Sequence, residues 1–161
     1  MVDPNLSEID GWLSLSFDDF ARRVMQEFGR RFLGITVHCD MLAMALADQS
    51  SDRGDVLKQM KTTTMEGHSA FKDDVQARWK QLQGERPAAS SEARIAFLGL
   101  MITTATPFVN EIDRLVTSIP ASRRPEIISA VRNIEHKNLV QLDQLLRVCR
   151  IYTEKLRTGE G

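Results

Sequence analysis

Four polar residues on three segments of the chain have the side-chain types needed to build a site inside a helical protein. They are His68, Thr106, Glu135 and Asn138. An imidazole, a hydroxyl, a carboxylate and an amide together offer donors and acceptors for a small ligand. Buried groups of this kind must otherwise bond to one another. Two hypotheses stay open: a ligand-binding pocket, or a structural polar layer in which His68 bonds to Glu135 or to a threonine hydroxyl.

These residues do not have the composition of a metal site. Di-iron helical bundles use Glu-x-x-His pairs on two helices, and the sequence contains no such pair. One histidine and one carboxylate also fall short of the four ligands of a structural zinc site. We therefore expect no metal and no other cofactor.

A histidine on the outside of a helical bundle has a different use, as an acceptor of a phosphoryl group. The stretch GHSAFK at 67–72 is similar to the histidine phosphotransfer pattern, but its lysine follows His68 by four residues and not by three. That slip turns the lysine by about 100° around the helix. His136 is expected to point outward, so it is the better phosphoacceptor candidate. The similarity assigns the chain to no family.

The two cysteines show no pattern of catalysis or of disulfide bonding. Cys39 and Cys149 are expected on core faces, about 25 Å apart along the helix axes. His38 stands beside Cys39, but a buried thiol next to a flanking histidine is usually part of the core. No nucleophile or phosphate-loop motif occurs elsewhere, so the sequence favours a non-catalytic protein.

Composition excludes several classes of partner. The 161 residues carry 21 Lys and Arg against 22 Asp and Glu, a balance that does not favour nucleic acid. The N-terminus has no basic start followed by an apolar run, which favours a cytoplasmic location. The uncharged run 95–109, IAFLGLMITTATPFV, is shorter than the roughly 20 residues that cross a bilayer, so we expect no membrane span.

Helical periodicity organises the chain into four segments separated by Gly, Pro and Ser clusters near 49–55, 84–91 and 118–125. Ser16, Ser90 or Ser91, and Pro125 have the types expected at helix starts. The sequence predicts an all-α fold, an antiparallel up-down-up-down four-helix bundle. Residues 1–15 are expected to form an N-terminal arm and residues 16–158 the single domain. The third helix is predicted to continue through Pro107 with a kink.

In such a bundle the four polar residues share one depth. At 1.5 Å per residue, His68 lies about 20 Å from the end of the bundle where the first and third loops meet. Thr106 and Glu135 fall near that level and Asn138 lies one turn further. The hypothetical layer therefore crosses the middle of the bundle.

Two helices are predicted to be apolar on a second, outward side. The first helix contributes Leu33, Val37, Met41 and Met44, and the fourth contributes Val140, Val148 and Ile151. One contiguous apolar patch of this kind usually marks a partner site. The alternative is that the arm covers it with Trp12, Leu13 and Leu15. We expect a cytoplasmic interaction or adaptor module that forms a homodimer or binds another helical protein. The second hypothesis is a small-ligand-binding or histidine phosphotransfer signalling protein.

Overall fold

The structure is a computed structural model that describes residues 10–46, 52–84, 90–119 and 123–159. Within these ranges the long elements are all helices, and none of the described residues lies in a β-strand. The predicted all-α class is confirmed. Residues 1–9 of the predicted arm lie outside the described residues.

Four long helices follow one another along the chain. α1 is Phe17–Ala45 and α3 is Ser91–Thr117. α2 consists of Asp52–Ala70, the π-helical segment Phe71–Val75, and Gln76–Gly84. α4 consists of Pro125–Arg132, the π-helical segment Asn133–Leu139, and Val140–Arg157. A short helical turn at residues 10–13 precedes α1.

Side chains satisfy the backbone at helix starts where the sequence predicts it. The hydroxyl of Ser16 accepts a hydrogen bond from the N–H of Asp19 at 3.3 Å. The hydroxyl of Ser90 accepts one from the N–H of Ala93 at 3.2 Å. Pro125 begins α4, where the N–H that proline lacks would have had no partner inside the helix.

Helix α1 packs against both α2 and α4. Toward α2, the ring of Phe28 lies 4.7 Å from that of Phe71, and Asp40 pairs with Lys61 at 2.7 Å. As residue numbers rise along α1, the numbers of the α2 residues in contact with it fall. α2 also packs on α3, and α3 on α4.

The contacts between α1 and α4 follow the same reversed order. The rings of Phe20 and Tyr152 stack with centroids 4.1 Å apart, and Arg31 donates to the carbonyl of Lys137 at 3.1 Å. Each helix therefore packs against two others around a common core. The up-down-up-down topology stays a prediction, which these reversed pairs support.

The uncharged run lies within α3, which is continuous through Pro107, as predicted. Two threonines that precede Pro107 bond to their own helix: Thr103 donates to Gly99 O at 2.9 Å and Thr106 to Ile102 O at 2.6 Å. These two hydroxyls in an apolar segment thus have acceptors one turn back. The kink itself stays a prediction.

By length and composition alone, α3 is the one described helix that could cross a membrane. Its most apolar window of 18 residues has a mean hydropathy of 1.4, and 33% of that window is buried within the structure. A core helix of a soluble protein meets the same criterion. The expected absence of a membrane span stays a prediction.

Candidate functional site

The hydrogen bond predicted between His68 and Glu135 is not formed. His68 is partly buried between α1 and α2, with its Nε2 3.6 Å from the position that a Cβ on Gly29 would take. Glu135 lies on another side of the molecule, in a groove between α3 and α4. This part of the prediction is wrong.

Thr106 and Asn138 likewise bond within their own helices. Thr106 donates to Ile102 O, and the Nδ2 of Asn138 donates to Asn133 O at 2.8 Å. Asn138 is buried against α1 at Gly34, where an added Cβ would come within 2.6 Å of its Oδ1. The absent side chain of Gly34 therefore gives the amide its place, and the four polar residues do not converge on one pocket.

Part of α4 is π-helical and not a regular α-helix. In a π-helix each N–H bonds five residues back and not four, as the N–H of Val140 does to Glu135 O. Residues are then rotated relative to a count of 100° per residue. Glu135 and Asn138 both lie within this segment, Asn133–Leu139. Asn138 is nevertheless buried and Glu135 half-buried, so the segment keeps Asn138 on the core side of α4.

His136, the phosphoacceptor candidate, is exposed on the same groove between α3 and α4. The groove has a volume of about 210 Å³, and its carboxylates are Asp113, Glu135 and Asp143. A phosphoryl group on His136 would be repelled by these charges. Among the described residues no group of His, Cys, Asp and Glu is arranged to hold a metal ion.

The two cysteines are free and buried. Burial raises the pKa of Cys39 to about 12, and the nearby Asp40 adds to that increase. Burial likewise raises the pKa of Cys149 to about 12. Because the thiolate is the nucleophilic form, neither side chain is activated at neutral pH.

His38 lies on the side of α1 that faces α4. Burial lowers its pKa, and the positive charge of Lys137 lowers it further. Its Nδ1 is buried and has no hydrogen-bond partner among the described residues. The neutral imidazole is the form that suits this environment.

The outward face of α1 is apolar over its second half. Four large side chains are exposed there: Leu33 at 56%, Val37 at 49%, Met41 at 50% and Met44 at 79%. They occupy positions i, i+4, i+8 and i+11, so they lie along one side of the helix. We refer to these four residues as the apolar stripe.

Met65 on α2, which sequence reasoning missed, extends this surface and is 54% exposed. It lies four residues after Lys61, which pairs with Asp40, and three before His68, which lies beside Gly29. Met65 is therefore level with the part of α1 between those two contacts. The sequence of α2 alone does not place Met65 beside the apolar stripe. Its position follows from the register between α1 and α2, which these two contacts define.

The predicted contribution of α4 to a single apolar patch is wrong. Val148 is fully buried, and Ile151 is partly buried against the core. Val148 lies one turn before Tyr152, whose ring stacks on α1, so this side of α4 is covered. Val140 is 49% exposed, but it lines the groove between α3 and α4 and not the α1 side.

The described part of the arm, residues 10–15, packs on α1 and α4. Trp12, Leu13 and Leu15 are partly buried against the core. The hydroxyl of Tyr152 donates to Leu15 O at 2.9 Å, and the ammonium group of Lys155 donates to Leu13 O at 2.5 Å. The described part of the arm thus folds back, but it covers the C-terminal part of α4. The apolar stripe of α1 stays exposed.

The comparisons with known proteins assign no family to the chain: no family model, no curated protein and no solved structure matches it.

Proposed function

We propose that the protein is a helical interaction module that forms a homodimer through the apolar stripe of α1. The observation that supports this proposal is the exposure of four large apolar side chains in one line on a helix whose opposite face is fully buried. Contiguous apolar surface of this kind tends to mark sites of protein association.

The chemistry of the apolar stripe favours a second copy of the same chain as the partner. A two-fold interface brings each surface against itself, so like charges would face each other. The apolar stripe contains none, and its two methionines adapt their shape to an opposing helix. The nearest charged pair, Asp40 with Lys61, is already neutralised within one protomer.

The expected affinity is moderate. Burying a half-exposed apolar side chain contributes about 1 kcal/mol, so the roughly ten side chains of a symmetric pair, Met65 included, contribute about 10 kcal/mol. The loss of translational and rotational freedom costs an amount of the same order. Flanking residues must supply the remainder, and we expect a dissociation constant of roughly micromolar magnitude.

Two matched valines test the proposal. Val37 in the apolar stripe and Val140 outside it are both 49% exposed. Sedimentation velocity on Val37→Glu should show a folded monomer, because the carboxylate loses its hydration on association. Val140→Glu should remain dimeric, since its carboxylate stays in water. Equal behaviour of the two variants, either both dimeric or both monomeric, would overturn the proposal.

A further inference from the structure

A groove between the arm, α1 and α4 has the charge and shape of an anion site. It has a volume of about 350 Å³, within the range of small-molecule pockets. Its charged side chains are Arg23, Arg30, Arg31 and Glu27, a formal surplus of two positive charges. We infer that this groove binds a small phosphate monoester, whose charge at neutral pH is about −1.5 to −2.

The ion pairs around Glu27 orient the arginines without using up their donors. Its two carboxylate oxygens lie 3.6 Å from Arg30 Nη1 and from Arg31 Nη2, longer than a hydrogen bond. The fork of N–H groups on a guanidinium matches the oxygens of a phosphate. Both side chains are therefore held near the groove with N–H groups available for a bound anion.

Arg31 is the best positioned of the three. Its Nη1 donates to the carbonyl of Lys137 at 3.1 Å, which fixes the guanidinium between α1 and the π-helical segment of α4. Its Nε is buried and has no partner among the described residues. A buried donor without an acceptor is costly, so an anion whose binding brings it into contact with Nε would gain by satisfying that donor.

The organic part of the ester has an apolar wall to contact. Trp12 and Leu145 line the groove together with the arginines. The guanidinium of Arg23 lies 4.8 Å from the centre of the Trp12 ring, and the ring packs edge-on against Phe20. These contacts fix the indole. The apolar wall of Trp12 and Leu145 favours a phosphate ester with an apolar or aromatic group over inorganic phosphate.

The test is a titration of the isotopically labelled protein with phenyl phosphate, followed through the indole N–H resonance of Trp12. Inorganic phosphate, benzoate and chloride at matched ionic strength are the comparison anions. We expect saturable shifts with phenyl phosphate and weaker binding of the other three. Equal effects of benzoate or chloride would overturn the assignment to a phosphate ester, and so would the absence of saturable shifts.

Variants locate the site. Arg30→Gln and Arg31→Gln should each weaken binding of phenyl phosphate about tenfold or more, because each removes a charge-assisted hydrogen bond. Arg31→Lys keeps the charge but loses the fork, so it should also weaken binding. Arg22→Gln is the control, since Arg22 is an exposed residue of α1 that does not line the groove.

Folding does not confound the outcome for Arg30→Gln, because Arg30 is largely exposed and its replacement leaves the core intact. Binding that survives in Arg30→Gln and Arg31→Gln, or that falls equally in Arg22→Gln, would contradict the inferred site. The result is independent of self-association, which is measured separately.

Discussion

The hydroxyl of Tyr152 near the end of α4 donates a 2.9 Å hydrogen bond to the carbonyl oxygen of Leu15, just before α1 begins. This bond joins residues that are 137 positions apart in the sequence. The ring of the same tyrosine stacks on Phe20, so one side chain fixes both the arm and the adjoining turn of α1. The arm also forms one wall of the arginine-lined groove, whose shape therefore depends on this attachment.

Removing that hydroxyl should loosen the arm while the bundle stays folded. Tyr152→Phe keeps the ring but leaves the Leu15 carbonyl without its donor, at a cost of about 1 kcal/mol in the free energy of unfolding. Limited proteolysis should show faster cleavage near residues 10–15. Thr153→Val is the control, because it removes a buried hydroxyl that bonds only within α4, to Cys149 O. Equal cleavage rates in Tyr152→Phe and the wild type would contradict this role for the bond.

Two glycines should respond to alanine in opposite directions. A Cβ on Gly67 would lie 2.9 Å from Cγ and 3.0 Å from Cβ of Phe108, atoms close to the α3 backbone that cannot move easily. We expect Gly67→Ala to lower the free energy of unfolding by about 1–3 kcal/mol. A Cβ on Gly99 would meet no atom within 4 Å. Gly99→Ala should therefore raise that free energy by about 0.5–1 kcal/mol, through helix propensity.

Urea unfolding of both variants measures these changes. A Gly67→Ala protein as stable as the wild type would show that α2 and α3 are not as close at this position as the structure has them.

Acid should destabilise the protein through His38. Burial lowers the pKa of its imidazole from the ordinary value of 6.5, so the unfolded chain takes up a proton at a higher pH than the folded one does. The contribution of neutral His38 to stability is present above the pKa that its imidazole has in the unfolded chain. It is lost as pH falls through the lower pKa of the imidazole in the folded protein. The free energy of unfolding from urea titrations should decrease as pH falls from above the ordinary pKa of 6.5 to below it.

His38→Gln should show a smaller decrease over the same interval, because it removes this titrating group. A decrease equal to that of the wild type would assign the pH dependence to other residues.

Local rules in the sequence predicted most of the secondary structure. Helix starts at serines and an apolar pattern in phase across Pro107 are features that depend only on neighbouring residues. The structure confirms Ser16 and Ser90 as helix caps and α3 as continuous. The exposed face of α1 followed from the same periodicity.

The positions that sequence reasoning missed depend on longer-range packing. No residue pattern marked the π-helical segment Asn133–Leu139, in which hydrogen bonds run five residues back. Its packing against α1 requires the small residue at Gly34, which is on another helix. The burial of Val148 and the exposure of Met65 likewise depend on the register between helices, which periodicity within one helix does not determine.

The outward surface of α1 changes character along its length, with Arg23 and Arg30 in the first half and the apolar stripe in the second. The proposals made for these two halves are separable. Arg30→Gln should weaken binding of phenyl phosphate and leave the oligomeric state unchanged. Val37→Glu should prevent dimerisation and leave binding of phenyl phosphate unchanged. Loss of both properties in either single variant would contradict that separation.

The molar mass of the wild-type protein as a function of concentration tests the central claim most directly. Multi-angle light scattering on a dilution series spanning the roughly micromolar range should show a rise from the 18.2 kDa of one chain toward twice that value. A two-fold contact closes on itself, so the mass should not increase further. A mass that stays at 18.2 kDa up to the highest soluble concentration would contradict the homodimer.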